Sequence, residues 1–148
     1  MTPVPTEDDV TRLKVALARI SRVVDRRVSG GGLTRTQLAV LGTVSRIGPL
    51  GLGALAEVEG LNPTMLSRVV GKLEADGLLR RSADPTDRRA ARVEATDAGA
   101  DLSRQLRRER TRLFADALGR LPDGDADAVI AALPAIEALA REIAAPTP

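Results

Sequence analysis

The chain has 148 residues, 43% of them hydrophobic, and a formal net charge of +2. That length and apolar share suit one folded domain with a real core, or a domain plus an oligomerisation element, and exclude a disordered chain. With no Cys, no His and Phe114 as the single aromatic residue, the sequence excludes disulfides, thiol redox sensing, cysteine nucleophiles, imidazole acid–base chemistry and most zinc sites, and leaves Leu, Val, Ile and Ala to fill the core.

Residues 6–28 read as a long amphipathic helix. Thr6 is placed to cap it, and Glu7, Asp8 and Asp9 lie at the positive end of its dipole. Val10, Leu13, Leu17, Ile20 and Val24 recur at steps of three and four, a straight stripe that requires a partner helix. Ser29 and three glycines end it. Thr34 and Gln37 form a capping box for a second helix with Leu38, Leu41 and Val44 inward, stopped by Gly48-Pro49. A short helix is expected over 53–59, with Leu55 and Val58 inward and Gly60 closing it.

In "LNPTMLSRVVGKLEADGLLRR", Asn62 is a good N-cap and Pro63 a good first helical residue. Leu66, Val69, Val70 and Leu73 fall at i, i+3, i+4 and i+7, so Thr64, Ser67, Arg68, Gly71 and Lys72 lie on or beside the opposite face. Two helices joined by a glycine turn form a helix-turn-helix pattern. "LLRRS" (78–82) and "AARVEA" (90–95) read as two strands of a hairpin around "ADPTD". Thr96 then caps a helix from about 97 to 120, "LPDGD" breaks the chain, and a last apolar helix runs to about 144 with Pro134 kinking or interrupting it.

No apolar run approaches the ~20 residues of a membrane span, and "MTPVPTEDD" has neither the basic nor the apolar region of a signal peptide, so a cytoplasmic protein without a membrane partner is expected. Charge is uneven along the chain. Residues 1–121 carry 21 basic against 15 acidic side chains, and residues 122–148 one arginine against five acids. All the basic residues but Lys14 and Lys72 are arginine, which suits bidentate phosphate and base recognition, although a GC-rich coding bias enriches arginine equally.

The densest cluster is "DPTDRRAAR" (84–92). It reads in three ways: a catalytic carboxylate pair, a solvated loop, or a tip that drives arginines into a polyanion. Catalysis is disfavoured, because acids on a polar turn beside three arginines stay ionised, whereas a general acid needs a raised pKa and a sheltered cleft. Position favours the third reading, since the cluster sits on a hairpin directly after a helix-turn-helix. That arrangement is a winged helix, in which the second helix enters the major groove and the hairpin lies along the backbone or minor groove. The basic run "RQLRRERTR" (104–112) has acidic neighbours in Asp101 and Glu109 and reads mainly as a solvated helix face.

These residues resemble the MarR family of bacterial transcriptional regulators. The resemblance rests on "LTRTQLAVLGTV" (33–44), "LGALAEVEGLNPTMLSRVVGKLEADGLLRR" (52–81) and "DPTDRRAARVEATDAG" (84–99), the last close to the family's wing signature in Asp87, Arg88, Arg89 and Thr96. It implies a mainly α fold of the α+β winged-helix type in a single 1–148 domain. Residues 33–96 would form the DNA-binding lobe, and 6–28 with 97–146 the dimerisation helices. It also implies a homodimer on a pseudo-palindromic double-stranded operator, no cofactor and no enzymatic activity, most simply a repressor released by a small anionic or aromatic effector. Thr64, Ser67, Arg68 and Lys72 on the recognition helix match the family's DNA-contacting positions, as do Arg88 and Arg89 on the wing. Asp87 is assigned to hold Arg89 by a salt bridge, with Arg89 in the minor groove and Arg88 on phosphate, or the reverse. Arg19, Arg46 and Arg112 are candidate anion partners for the effector. Two positions depart from the pattern: Met65 stands where the family often has Thr or Ser, and Gly71 where it often has a polar side chain. The rival is a helical protein–protein module whose winged helix does not bind DNA, separated from a regulator by salt-dependent binding to duplex DNA.

Overall fold

A computed structural model describes residues 4–145. The elements run α1 (Glu7–Arg27), α2 (Arg35–Ile47), β1 (Leu50–Gly51), α3 (Leu52–Glu59), α4 (Pro63–Ala75), β2 (Leu79–Ala83), β3 (Ala91–Ala95), α5 (Asp97–Leu118), α6 (Asp125–Ala131) and α7 (Leu133–Ala144). The fold is mainly α with one small antiparallel sheet.

Local chemistry sets most boundaries. At α1 the Thr6 hydroxyl accepts from the Asp9 N–H at 3.2 Å while the Asp9 carboxylate accepts the Thr6 N–H at 3.1 Å. Thr34 and Gln37 make the same reciprocal pair at α2. Each box satisfies two backbone donors that a helix start would otherwise leave open. Gly60 ends α3 at φ 63, a left-handed conformation that favours a residue without Cβ. Two residues later the Asn62 side chain accepts from the Met65 N–H at 2.8 Å and starts α4.

The core joins α2, α3 and α4 to the sheet through Val40, Leu41, Val44, Leu55, Leu66, Val69, Val70, Leu73, Leu79 and Val93. All four apolar residues that the periodicity of α4 points inward are buried. Strand order is β1-β3-β2, with Leu50 opposite Val93 and Leu79 opposite Ala95. A two-residue strand has no alternation to read, so β1 was invisible in the sequence pattern; its pairing partner lies about forty residues on.

One inward assignment is corrected. Val58 is exposed, and α3 turns Leu55 and Ala56 to the core instead. Since α3 begins at Leu52, its buried face runs through Leu52, Leu55, Ala56 and the half-buried Glu59, and Val58 lies off that face. The last helix is interrupted as Pro134 requires, into α6 and α7 with the break at Ala132.

The chain packs as two compact units that divide between Arg110 and Thr111, within α5. In the first unit, α1 buries none of its residues, and Val10, Leu13, Leu17 and Ile20 remain 42–46% exposed. In the second, α6 and α7 likewise bury none, leaving Val129, Ile130, Leu133, Ile136 and Leu139 exposed. Residue 146, the end of the expected dimerisation segment, lies outside the described residues. No helix among those described is long and apolar enough to cross a membrane.

Candidate nucleic-acid interface

Burial fixes the rotation of α4 about its axis. With Leu66, Val69, Val70 and Leu73 locked in the core, Thr64, Met65, Ser67, Arg68 and Lys72 all point to solvent. The exposed row begins in the first turn of a capped helix, the part of a recognition helix that reaches base edges.

The 84–90 turn that follows is tied at one carboxylate. Asp84 Oδ1 accepts from the Thr86 N–H at 2.8 Å, the Thr86 hydroxyl at 2.7 Å and the Asp87 N–H at 3.3 Å. Its other oxygen lies 3.9 Å from Arg92, whose guanidinium donates to the Pro49 carbonyl at 2.9 Å. The hydrogen bond from the Thr86 side chain, then that from its backbone, hold the Asp84 carboxyl below its ordinary value, with Arg92 acting in the same direction and desolvation opposing. A carboxylate stabilised in its charged form is the opposite of what a general acid needs, so Asp84 is poorly suited to acid catalysis.

The position of Asp87 corrects an expectation. Its carboxylate accepts the backbone N–H of Arg89 at 2.9 Å and makes no ion pair with the Arg89 guanidinium. An aspartate side chain is short, and the amide two residues on is its natural partner in a turn. The Asp87 N–H is itself held by Asp84, and the Ala90 N–H donates to the Asp87 carbonyl at 3.0 Å, so the main chain at the tip is pinned on both sides. Both arginine side chains remain exposed.

Ion pairing sorts the basic residues from α4 through β3. Lys72 pairs with Asp76 at 2.9 Å, Arg80 with Glu94 at 2.7 Å, Arg81 with Glu74 at 3.1 Å and Arg92 with Asp84. Arg68, Arg88 and Arg89 have no acidic partner among the described residues. Between α4 and β3, the positive charge without an acidic partner therefore lies on α4 and the hairpin tip. Sequence spacing alone did not separate Arg80 and Arg81 from this set, because their acids come from another strand and from α4. In the basic run of α5, Arg104 pairs with Asp101.

A cavity of about 420 Å³ opens beside α2. Its charged lining is Asp25, Arg35, Arg46, Glu59 and Arg110, with Leu33 and Leu38 as apolar wall. Of the candidate anion partners, Arg46 lines it and Arg19 and Arg112 do not. Arg35 and Arg110 were missed, since they come together only through the packing of α2 and α5. Arg35 is bridged to Asp25 at 3.2 Å, and the Thr43 hydroxyl hydrogen-bonds Glu59 at the cavity wall.

Comparison with known proteins gives a consistent likeness. The MarR family profile matches residues 33–91. An HTH-type transcriptional regulator of Mycobacterium tuberculosis is 31% identical over 130 residues, covering 88% of this chain and 91% of that protein. The crystal structure of RV1404 from Mycobacterium tuberculosis superposes with a TM-score of 0.80 at 24% identity, over 93% of this chain and 96% of that one. A mutant of S. aureus MepR bound to an oligodeoxyribonucleotide superposes with a TM-score of 0.67 at 17% identity, over 91% and 98% of the two chains.

Proposed function

The chain belongs to the MarR family of non-enzymatic, DNA-binding transcriptional regulators, and from that premise we propose that it binds a pseudo-palindromic operator as a homodimer and represses until a small anionic effector releases it. One observation carries the DNA-binding geometry: in the lobe from α4 through β3, the basic side chains without acidic partners are Arg68 on the capped helix and Arg88 and Arg89 on the hairpin tip. An arginine already paired must break its ion pair to reach a phosphate, whereas an unpaired one releases counterions at no such cost. Thr64 and Ser67 flank Arg68 as hydrogen-bonding groups for base edges or phosphates, and Lys72 joins them after exchanging Asp76 for DNA. Homodimerisation is supported by the uncovered apolar faces of α1, α6 and α7. The segments 6–28 and 97–146 are assigned to it and 33–96 to DNA.

The effector reading is supported by the 420 Å³ cavity, a size suited to a small molecule, whose lining includes three arginines and two acids beside aliphatic walls, with Arg35 bridged to Asp25. Such a lining suits a small carboxylate with an apolar body.

Selection from randomised duplexes by the full chain, followed by titration at several salt concentrations, tests the reading. Enrichment of an inverted repeat, bound with a steep salt dependence, is expected. Failure to retain any duplex at low salt would overturn it in favour of a protein–protein module.

A further inference from the structure

The recognition helix carries one residue that neither charge nor the core explains. Met65 is 49% exposed, the one large apolar side chain that α4 leaves in solvent. Its backbone is fixed, because its N–H is the donor that caps the helix on Asn62 at 2.8 Å. Met65, Arg68 and Lys72 stand at i, i+3 and i+7, so the thioether shares a ridge with the unpaired guanidinium of Arg68 one turn along. About half of its surface stays open to solvent, and a half-exposed methionine at this position adds little to folding.

We infer that Met65 determines specificity by packing its thioether against the 5-methyl group of a thymine in each operator half-site, beside the base step that Arg68 engages. This rests on the DNA-binding reading above and adds to it a base identity. In the major groove thymine alone among the four bases presents a methyl group, so an apolar side chain distinguishes T·A from the other pairs without donating or accepting a hydrogen bond. Methionine is well suited to this contact, because it is unbranched, polarisable and turns about three bonds, and so settles on a methyl group without moving the helix. Met65 gives up its solvent exposure only when DNA is bound, and the apolar area then buried counts toward binding rather than folding.

The test uses the full-length protein and an operator obtained by selection from randomised duplexes. Each thymine of a half-site is replaced in turn by deoxyuridine, which keeps the Watson–Crick pair and deletes only the methyl group. At one position per half-site the wild-type chain should lose roughly fourfold in affinity, the value of one buried methyl. Met65→Ala should bind the thymine and uracil duplexes equally, and Met65→Leu should retain most of the preference. Circular dichroism confirms that the variants fold; as an exposed residue, Met65 leaves the core intact. If no uracil substitution weakens the wild type, or if the loss persists unchanged in Met65→Ala, the thymine contact is overturned while DNA binding stands. If no duplex is enriched at all, both readings fall.

Discussion

The Thr96 hydroxyl donates to the Gly77 carbonyl at 2.6 Å and accepts the Gly99 N–H at 3.1 Å. One side chain thus caps α5 and fastens its first turn to the exit of α4. The Thr96 N–H also reaches the Leu78 carbonyl at 3.1 Å, and Gly99 packs so close that a Cβ there would collide with that same carbonyl oxygen. The start of α5 and the end of α4 are therefore tied at one joint, through which a shift of α5 would reach α4.

Thr96→Val keeps the shape and removes both hydroxyl bonds. It should lower stability by about 1–3 kcal/mol, the sum of a lost cap and a carbonyl deprived of its donor. Thr96→Ser should stay near wild type. Gly99→Ala should cost about 1–3 kcal/mol by overpacking against fixed backbone. Urea unfolding followed by circular dichroism measures all three, and a wild-type midpoint for Gly99→Ala would show that the joint yields easily.

Asp87 acts on the main chain of Arg89 and not on its guanidinium, which gives a two-variant test. Asp87→Ala loosens the tip and should weaken DNA binding, although it removes a negative charge. Asp87→Asn retains a carbonyl oxygen for the Arg89 N–H and sheds the charge, so it should bind at least as tightly as wild type. Fluorescence anisotropy on one operator duplex reads both. Tightening by both variants would reduce Asp87 to a repulsive charge.

Arg68 and Arg89 should fail in different ways. Arg68→Ala is expected to cost about 1–3 kcal/mol and to relax discrimination at one base position per half-site. Arg89→Ala should weaken binding on every sequence and lower the salt slope by about 1 per protomer, hence about 2 per dimer. It should lose more on A·T-rich flanks, where the minor groove is narrow and its potential most negative. Equal losses for Arg68→Ala on operator and random duplex would restrict Arg68 to phosphate contact.

The carboxyl of Asp84 should give the 84–90 turn its dependence on acid. Its folded pKa lies below the ordinary 3.8, so its ionised form stabilises the turn at any pH above that ordinary value. The contribution is lost as pH falls through the lower, folded value. The Thr86 amide resonance should therefore keep its hydrogen-bonded shift in mildly acidic solution and move only below the usual carboxylate range. A transition at or above the ordinary value would mean that Asp84 does not organise the turn in solution.

The α1 stripe predicts the assembly. Leu17 is 42% exposed, with Val10, Leu13 and Ile20 similarly open along the same helix. Leu17→Glu places a charge in the proposed dimer seam and should lower both dimer content and thermal stability. Light scattering on the wild type should give a dimer mass at micromolar concentration, and a monomer mass there would remove the basis for a paired operator.

The helices, their caps and the inward face of α4 were legible in the sequence because they depend on neighbours three and four residues apart. Thr34 with Gln37, Asn62 with Pro63, and Leu66 with Val69, Val70 and Leu73 each carry their own local signal. The break at Pro134 did so too. What only the tertiary structure decided is which groups meet across distance. It made β1 a third strand on β3, turned Val58 outward by setting where α3 begins, and gave Arg80 and Arg81 acidic partners from β3 and α4. It also moved the Asp87 carboxylate from a guanidinium to a backbone amide, and brought Arg35, Arg46 and Arg110 around one cavity. Charge compensation depends on distances of a few ångströms between segments far apart in the chain. Composition shows how many arginines there are, and only the packed chain shows which of them from α4 through β3 remain without an acidic partner.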